Sequence, residues 1–162
     1  MKTINLLASL SVIFLMTGYA SLKEPTSVKN GSIESYKYFY ISPTNSLTSS
    51  SGLTIEGNYF SSSKSVNPAD VIIGRLAKAG LIRLPELKPE LAEETLIVNY
   101  GESGKRNAGL GGSRIEVTIQ FVSAKSNTLV CSCSAEGQGE TEADHIRKAI
   151  ARCLSELIPQ EK

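Results

Sequence analysis

The sequence predicts an α+β domain with two layers, in which a mixed four-stranded sheet carries two helices on one face. Strict alternation of apolar and polar residues from Ile115 to Phe121 is typical of a half-buried strand, and a second strand follows in which Leu129, Cys131, Cys133 and Ala135 share one face. Apolar residues recur at helical spacing over 67–79 and 141–157, each time behind a capping residue. Because helices with a single apolar face need a sheet to cover, the order β-α-β-β-β-α predicts a two-layer sandwich.

The N-terminus has the pattern of a secretory signal peptide over residues 1–20. Lys2 precedes a mostly apolar run, Ile4–Met16, and small residues then lead to a cleavage site between Ala20 and Ser21. The run is shorter than the roughly 20 residues of a membrane-spanning helix. We therefore expect an exported protein that is periplasmic or envelope-associated after cleavage, with an uncleaved anchor as the alternative.

Residues 21–34 are polar and without periodicity, which predicts a flexible lead-in to a single domain over residues 35–158. The chain has 17 basic and 16 acidic residues, and removal of Lys2 with the signal peptide balances them. A net charge near zero argues against nucleic acid as a partner. A membrane is expected as a partner only if the signal segment is retained as an anchor.

The first strand of the domain is predicted over Ser35–Ile41, which is rich in aromatic residues. In a regular strand Tyr36, Tyr38 and Tyr40 share one face. Such a stripe can be a binding surface. More often it is one covered side of a strand whose hydroxyl groups reach water at the rim, and we favour that interpretation.

Residues 42–66 form the least regular segment, with nine serines and interruptions at Pro43 and Gly52. Leu53–Phe60 is a candidate for a short strand or a flap. A long loop inside a compact domain is usually either functional or disordered. We expect the segment to be mobile and, if it is functional, to act as a lid over the tyrosines.

The first helix is predicted to begin after Asn67, which can cap it, and to end at Gly80. Pro68 suits its first position. A proline-containing crossover over 82–94 then leads to a central strand, Thr95–Tyr100. The apolar face of the helix consists of Ala69, Ile72, Ile73, Leu76 and Ala79.

Gly101–Arg114 is a glycine-rich link that we predict to be flexible, with Lys105, Arg106 and Arg114 in solvent. A phosphate-binding loop is not supported, because Arg106 stands where Ser or Thr should follow the lysine and no helix comes next. If the partner is a protein, we expect it at this link and at the exposed edge of the sheet.

The two arms of the hairpin are joined by a three-residue loop, Lys125–Asn127, with Asn127 in the left-handed conformation that asparagine tolerates. A slip of one residue would set Ile119 against Ser132. The favoured register pairs every apolar residue with an apolar partner: Phe121 with Cys131, Ile119 with Cys133 and Val117 with Ala135.

Cys131, Cys133 and Cys153 are the only cysteines. The first two lie on one face of one strand, about 6.5–7 Å apart, which is the outer limit for a disulfide. Cys153, on the helix expected to cover that face, is the better partner for a bridge. We nevertheless favour three buried structural thiols, because free cysteine is a common core residue.

The last helix is predicted from a capping box, Thr141 with Asp144, to about Leu157. His145, the only histidine, is expected in solvent. A catalytic role would need a nucleophile and an orienting carboxylate beside it, so we predict no catalytic residue, no metal site and no cofactor. The residues expected to face the sheet are Ile146, Ala149, Ile150, Cys153, Leu154 and Leu157.

Four features resemble a family of small Gram-negative envelope lipoproteins that carry a domain of unknown function. They are the strand Tyr36–Ile41, the helix start Asn67-Pro68, the stretch Leu96–Gly101 and the hairpin Val117–Ala135. The resemblance spans about residues 35–157. The architecture is also similar to periplasmic domains of the curli-secretion lipoprotein and of lipoprotein activators of penicillin-binding proteins. This chain departs from the family in lacking the lipid-attachment cysteine.

The resemblance implies an assembly or regulatory role without catalysis. We therefore expect an exported, non-enzymatic envelope protein that acts by binding another envelope component. The alternative is a small-ligand-binding periplasmic module closed by residues 42–66. The candidate binding surface consists of Tyr36, Tyr38, Tyr40, Lys105 and Arg106.

Overall fold

The structure, a computed structural model, describes residues 22–107 and 112–158 and has a mixed α+β fold. The predicted signal peptide, with its cleavage site at Ala20 and Ser21, lies outside these residues. The strands are β1 (Thr26–Lys29), β2 (Tyr38–Ile41), β3 (Leu47–Ile55), β4 (Asn58–Val66), β5 (Ile82–Arg83), β6 (Thr95–Asn107), β7 (Ser113–Ser123) and β8 (Leu129–Gly137). The helices are α1 (Pro68–Lys78) and α2 (Glu142–Leu157), with short 3₁₀ helices at Ile33–Ser35 and Pro89–Glu94.

Six strands form one sheet in the order β1-β8-β7-β6-β2-β5, and β3 pairs with β4 in a separate two-stranded hairpin. β6, β7 and β8 make an antiparallel meander, and β2 runs parallel to β6. The prediction of a four-stranded sheet is wrong, because β1 and β5 each add an edge strand. These strands are four and two residues long, too short to show an alternating pattern.

β1 also corrects the predicted flexible lead-in. It pairs antiparallel with β8, from Thr26 opposite Ser134 to Lys29 opposite Cys131. Upstream of β1, Arg152 of α2 donates a hydrogen bond to the backbone oxygen of Lys23 at 2.7 Å. The folded part of the chain therefore begins well before residue 35.

One hydrophobic core joins both helices to one face of the six-stranded sheet. α2 packs along β7 and β8 and also contacts α1. No helix among the described residues is long and apolar enough to span a bilayer. The fully buried side chains include Phe39, Ile72, Leu76, Leu96, Val117, Ile119, Phe121, Ile146, Ile150 and Leu154.

The ends of α1 are set by the residues that the sequence predicts. The side chain of Asn67 accepts a hydrogen bond from the backbone N–H of Asp70 at 3.3 Å. Gly80 has a φ of +86°, and Leu81, which is buried, donates its backbone N–H to the oxygen of Leu76 at 3.1 Å. This is the glycine stop with its hydrophobic contact.

The α2 prediction is correct in its cap and its apolar face, and wrong for His145. Thr141 Oγ1 accepts a hydrogen bond from the backbone N–H of Asp144 at 3.3 Å, and all six predicted apolar residues are buried. His145 is only 4% exposed, because the end of β8 crosses over the first turn of α2. A Cβ atom on Gly137 would lie 1.9 Å from the backbone oxygen of His145.

The register of the β7–β8 hairpin is confirmed, although the loop is longer than predicted. Phe121 lies opposite Cys131, and Asn127 has a φ of +54° as expected. However, Ser123 donates its N–H to Thr128 O at 2.9 Å, so the loop has four residues. An extra residue at Val130 forms a bulge that restores the predicted pairs.

The cysteines correct the interpretation of three free thiols. Cys133 on β8 and Cys153 on α2 form a disulfide with a Cα–Cα distance of 5.5 Å, and Cys131 is a buried free thiol. Cys153 is the partner that the sequence marks as the better one. The bridge fastens α2 to the middle of β8.

We expect reduction of the disulfide to lower the free energy of unfolding by about 2–4 kcal/mol, because the bridge constrains the unfolded chain. Urea denaturation with and without dithiothreitol measures this. Cys131→Ala is the control and should keep the same redox-dependent difference. Equal free energies of unfolding with and without dithiothreitol would contradict the assignment of the disulfide.

Gly137→Ala should destabilise the fold by more than about 2 kcal/mol, because the new methyl group would collide with the backbone of α2. Gly74, inside α1, has no atom within 4 Å of the position of a Cβ atom. Gly74→Ala should therefore stabilise the fold by about 0.5–1 kcal/mol through helix propensity. Thermal and chemical denaturation of both variants measure the two stability changes. Equal changes for Gly137→Ala and Gly74→Ala would refute the predicted collision at Gly137.

Candidate functional site

The tyrosines of the predicted stripe do not lie together. Tyr38 and Tyr40 are half-buried on the outer face of the sheet, opposite the core residues Phe39 and Ile41. Tyr36 precedes β2, because a 3₁₀ helix occupies Ile33–Ser35, and it packs against the core. There it lines a cleft of about 320 Å³ together with residues of the 3₁₀ helix and of the C-terminal ends of α1 and α2: Ile33, Glu34, Ala79, Gly80, Leu81 and Ile158.

The outer face of the sheet beside Tyr40 is polar but uncharged along the middle of β6, β7 and β8. Cross-strand pairing places Asn99, Gln120 and Ser132 in one row. In the next row Thr118 and Ser134 share a hydrogen bond of 2.7 Å. This face therefore has the regular polar surface of a sheet.

The edge of β6 beyond β2 is a stretch of regular backbone that lies at the open side of the sheet. On the β7 side, Ala124 N–H donates to Thr95 O at 3.0 Å, and on the β2 side, Lys37 N–H donates to Glu94 O at 3.0 Å. Along β6, therefore, the backbone groups of odd-numbered residues face β7 and those of even-numbered residues face β2. β2 pairs only as far as Val98. Alternation then directs the backbone groups of Tyr100 and Glu102 to an edge that no strand among the described residues pairs.

The predicted flexible link is largely strand, since β6 runs to Asn107 and β7 begins at Ser113. Gly104, with a φ of +92°, lies in a bulge between Glu102 and Lys105. The bulge interrupts the ladder and bends the arm formed by the two strands. The remaining residues of the link, 108–111, lie outside the described residues.

The basic residues of this arm all have acidic partners, and Lys105 and Arg106 remain exposed to solvent as predicted. Glu136, only 3% exposed, pairs with Arg106 and, at 3.5 Å, with Arg114. Arg114 is buried, contrary to the prediction, while the side chains of Lys105 and Arg106 stay about half exposed. Lys105 pairs with Glu142 of α2 at 3.7 Å.

Residues 42–66, predicted as an irregular lid, mostly form the β3–β4 hairpin. Glu56 and Gly57 both have positive φ at its turn, as tight hairpins require. The hairpin lies against α2, which is on the core side of the sheet. The structure therefore places the hairpin and the pair Tyr38 and Tyr40 on opposite sides.

Polar contacts attach the base of the hairpin to the first turns of α2. Lys64 Nζ lies 2.8 Å from Asp144 Oδ2 and 3.1 Å from Glu140 Oε2. The hydrogen bond from Lys64 lowers the pKa of Asp144 below its ordinary value of 3.8. Ser49 Oγ accepts the backbone N–H of Ala143 at 2.9 Å.

The tip of the hairpin carries the most exposed large apolar side chains of the described residues. Tyr59 is 71% exposed, Phe60 60% and Ile55 51%. Cross-strand pairing puts Ile55 and Phe60 on one face. The ring of Tyr59 lies across Gly52, where a Cβ atom would be 2.1 Å from the tyrosine oxygen.

The free thiol of Cys131 lines a second cleft, of about 410 Å³. Burial raises the pKa of this thiol to about 11, so it is protonated at neutral pH. A protonated thiol is a poor nucleophile. The other residues of the cleft are Lys29, Asn30, Gly31, Ser32, Ile33 and Leu157.

His145 has no catalytic arrangement around it in the described structure. Its Nε2 lies 3.1 Å from the backbone oxygen of Gly139, and its buried Nδ1 has no hydrogen-bond partner. Among residues 22–107 and 112–158, no group of three His, Cys, Asp or Glu side chains is arranged to hold a metal ion.

Sequence reasoning missed the β3–β4 hairpin and the ion pairs of Glu136. The Glu56-Gly57 pair between two segments rich in Ser and Thr was the available signal for the hairpin. The ion pairs had no such signal, because Arg106 and Glu136 meet only through the register of three strands.

No protein-family model matches the chain, and no curated protein sequence matches it. Among solved structures it is similar to the PelC dodecamer from Paraburkholderia phytofirmans, with 16% identity and a TM-score of 0.46 over 84% of this chain and 99% of that one. A single-substitution variant of that dodecamer gives 14% identity and a TM-score of 0.49, over 85% and 98%. Both scores are below 0.5, so the similarity adds nothing to the fold described above.

Lys64→Ala should release the hairpin, and the amides of Asn58–Val66 should exchange with deuterium faster than in the wild type at neutral pH. Because the folded-state pKa of Asp144 is lowered, the ion pair contributes above the unfolded pKa and is lost as the pH falls through the folded one. The difference between variant and wild type should therefore vanish in acid. Lys105→Ala is the control and should leave β4 unchanged.

Proposed function

We propose that this protein is an exported, non-enzymatic envelope protein that acts by binding another envelope component. It takes a segment of that component as an added strand on β6. The single observation that carries the proposal is the free edge at Tyr100 and Glu102, where backbone donors and acceptors face no strand of the described chain. Edges of this kind bind extended peptides through main-chain hydrogen bonds.

The position of the edge favours a specific partner over uncontrolled pairing. An added strand would continue the line of β2, which ends at Ile41, and would be stopped by the bulge before Lys105. Short regular edges limited by bulges and charges resist aggregation. Tyr100, whose hydroxyl donates to Glu102 at 2.7 Å, adds a side-chain contact next to the backbone groups.

The arm that bears this edge is held in place at its far end. The buried Glu136 pairs with the buried Arg114 on β7 and with the half-exposed Arg106 on β6. Breaking a buried pair such as Arg114–Glu136 is costly, because it leaves an uncompensated buried charge. A partner strand therefore meets a positioned edge, which reduces the entropy lost on binding.

Export is supported by the N-terminal pattern of Lys2, the apolar run Ile4–Met16 and the small residues before Ser21. The alternative of a ligand-binding module closed by residues 42–66 gains no support. Its proposed lid and the tyrosine pair lie on opposite sides of the sheet.

The test is photocrosslinking of the full chain in its native envelope, with a photoreactive residue at position 102 or, as a control, at the exposed Glu34. One stoichiometric partner should be captured from position 102 and not from position 34. Mass spectrometry of the crosslinked peptide should identify an extended segment of that partner.

Glu102→Pro and Glu102→Ala form a matched pair. Proline removes the backbone N–H that faces the free edge, whereas alanine removes only the side chain. Capture of the partner by the tagged chain should fall at least tenfold for Glu102→Pro and stay within twofold for Glu102→Ala, with equal thermal stability. Equal capture by both variants would reject the edge as the site, and no partner above background would reject the binding role.

A further inference from the structure

The β3–β4 hairpin ends in an apolar tip that no other element of the described chain covers. Ile55, Tyr59 and Phe60 are each more than half exposed, and Glu56 is the only charged residue between Leu53 and Phe60. Soluble proteins seldom keep several large apolar side chains together in water unless they meet a partner. From this tip we infer that the hairpin inserts into the interfacial region of a lipid bilayer.

The shape of the tip favours a lipid surface over a small ligand. Two paired strands and a two-residue turn project side chains outward, so the tip is convex and offers no cavity. The ladder from Leu47 opposite Val66 to Ile55 opposite Asn58 is continuous, but the outer edge of each of the two strands stays unpaired. The tip can therefore enter only the hydrated interfacial region and not the hydrocarbon core, where open sheet edges do not occur.

The chemistry of the tip points to the same occupant. Tyrosine is enriched at membrane–water interfaces, where its ring is apolar and its hydroxyl group meets water. Phe60 and Ile55 share the opposite face and supply two further apolar side chains for contact with lipid. With one acidic and no basic residue at the tip, attraction to anionic lipid is excluded as the driving force, so binding should depend on apolar contact alone.

The base of the hairpin and the N-terminal segment are both attached around the end of β8 and the start of α2. Lys64, four residues beyond Phe60, pairs with Glu140 at the start of α2. Lys23, next to the first described residue, donates its backbone N–H to Glu136 Oε2 at 3.4 Å. Phe60 lies about 13 Å along β4 from Lys64. The tip therefore extends beyond the point at which the hairpin is attached to the domain.

This inference does not depend on strand addition at β6, and it adds a membrane contact that needs no retained anchor. A tip of three side chains supports only weak, reversible partitioning, since the buried area is small. The contact would orient the domain on the membrane rather than hold it there permanently.

The test uses the chain that begins at Ser21, which keeps the whole described core, and vesicles of zwitterionic phosphatidylcholine. Because the chain has no tryptophan, Phe60→Trp introduces a unique reporter. Its emission should shift to the blue on addition of vesicles and be quenched by brominated lipid, to the same extent in low and high salt. Ile82→Trp, at another exposed apolar position on β5, should show neither change.

The double variant Ile55→Ser with Phe60→Ser should reduce vesicle partitioning at least tenfold, and Ile82→Ser with Leu87→Ser should leave it within twofold. Both controls lie at exposed apolar positions away from the hairpin. The inference would be overturned if the Ile55→Ser, Phe60→Ser variant partitioned like the wild type. It would also be overturned if vesicles left the emission spectrum of Phe60→Trp unchanged. Partitioning that appears only with anionic lipid would also overturn it, because the tip supplies no charge for such an interaction.

Discussion

The close fit between β8 and α2 is the constraint on which the rest of the structure depends. Cys133 and Cys153 are joined across it, and Gly137 lets the backbones of strand and helix touch. The core residues of β7 reach α2 only because β8 is held in this register. Any side chain at position 137 would push the helix away and open the core that both helices share.

The segment that leads from β8 into α2 then positions everything that projects from the domain. Glu136 ties down the β6–β7 arm, Asp144 with Glu140 ties down the β3–β4 hairpin, and the N-terminal chain is held at Lys23. The three attachments differ in kind. The pair of Glu136 with Arg114 is shielded from water, whereas the pairs of Lys64 with Asp144 and Glu140 are partly exposed and contribute less. We therefore expect the arm to be rigid and the hairpin to detach more readily.

The parts of this fold that the sequence predicts are those decided by local chemistry. Asn67 and Gly80 set α1, and the alternation of β7 and β8 decides their register, because only one pairing buries every apolar residue. The loop length was wrong although the register was right, since the bulge at Val130 absorbs one residue. Burial of apolar faces controls the pairing more strongly than the turn does.

The parts that could not be predicted depend on residues distant in the chain. β1 becomes a strand only because β8 offers it an edge, and His145 is buried only because Gly137 and Gly139 bring the chain across it. The hairpin tip is also decided by the fold, but here the fold leaves apolar residues exposed. Ile55 and Phe60 resemble core residues in the sequence, and only the fold shows that they project away from it. Both proposed contacts therefore use groups that the fold leaves unsatisfied, a backbone edge in one case and apolar side chains in the other.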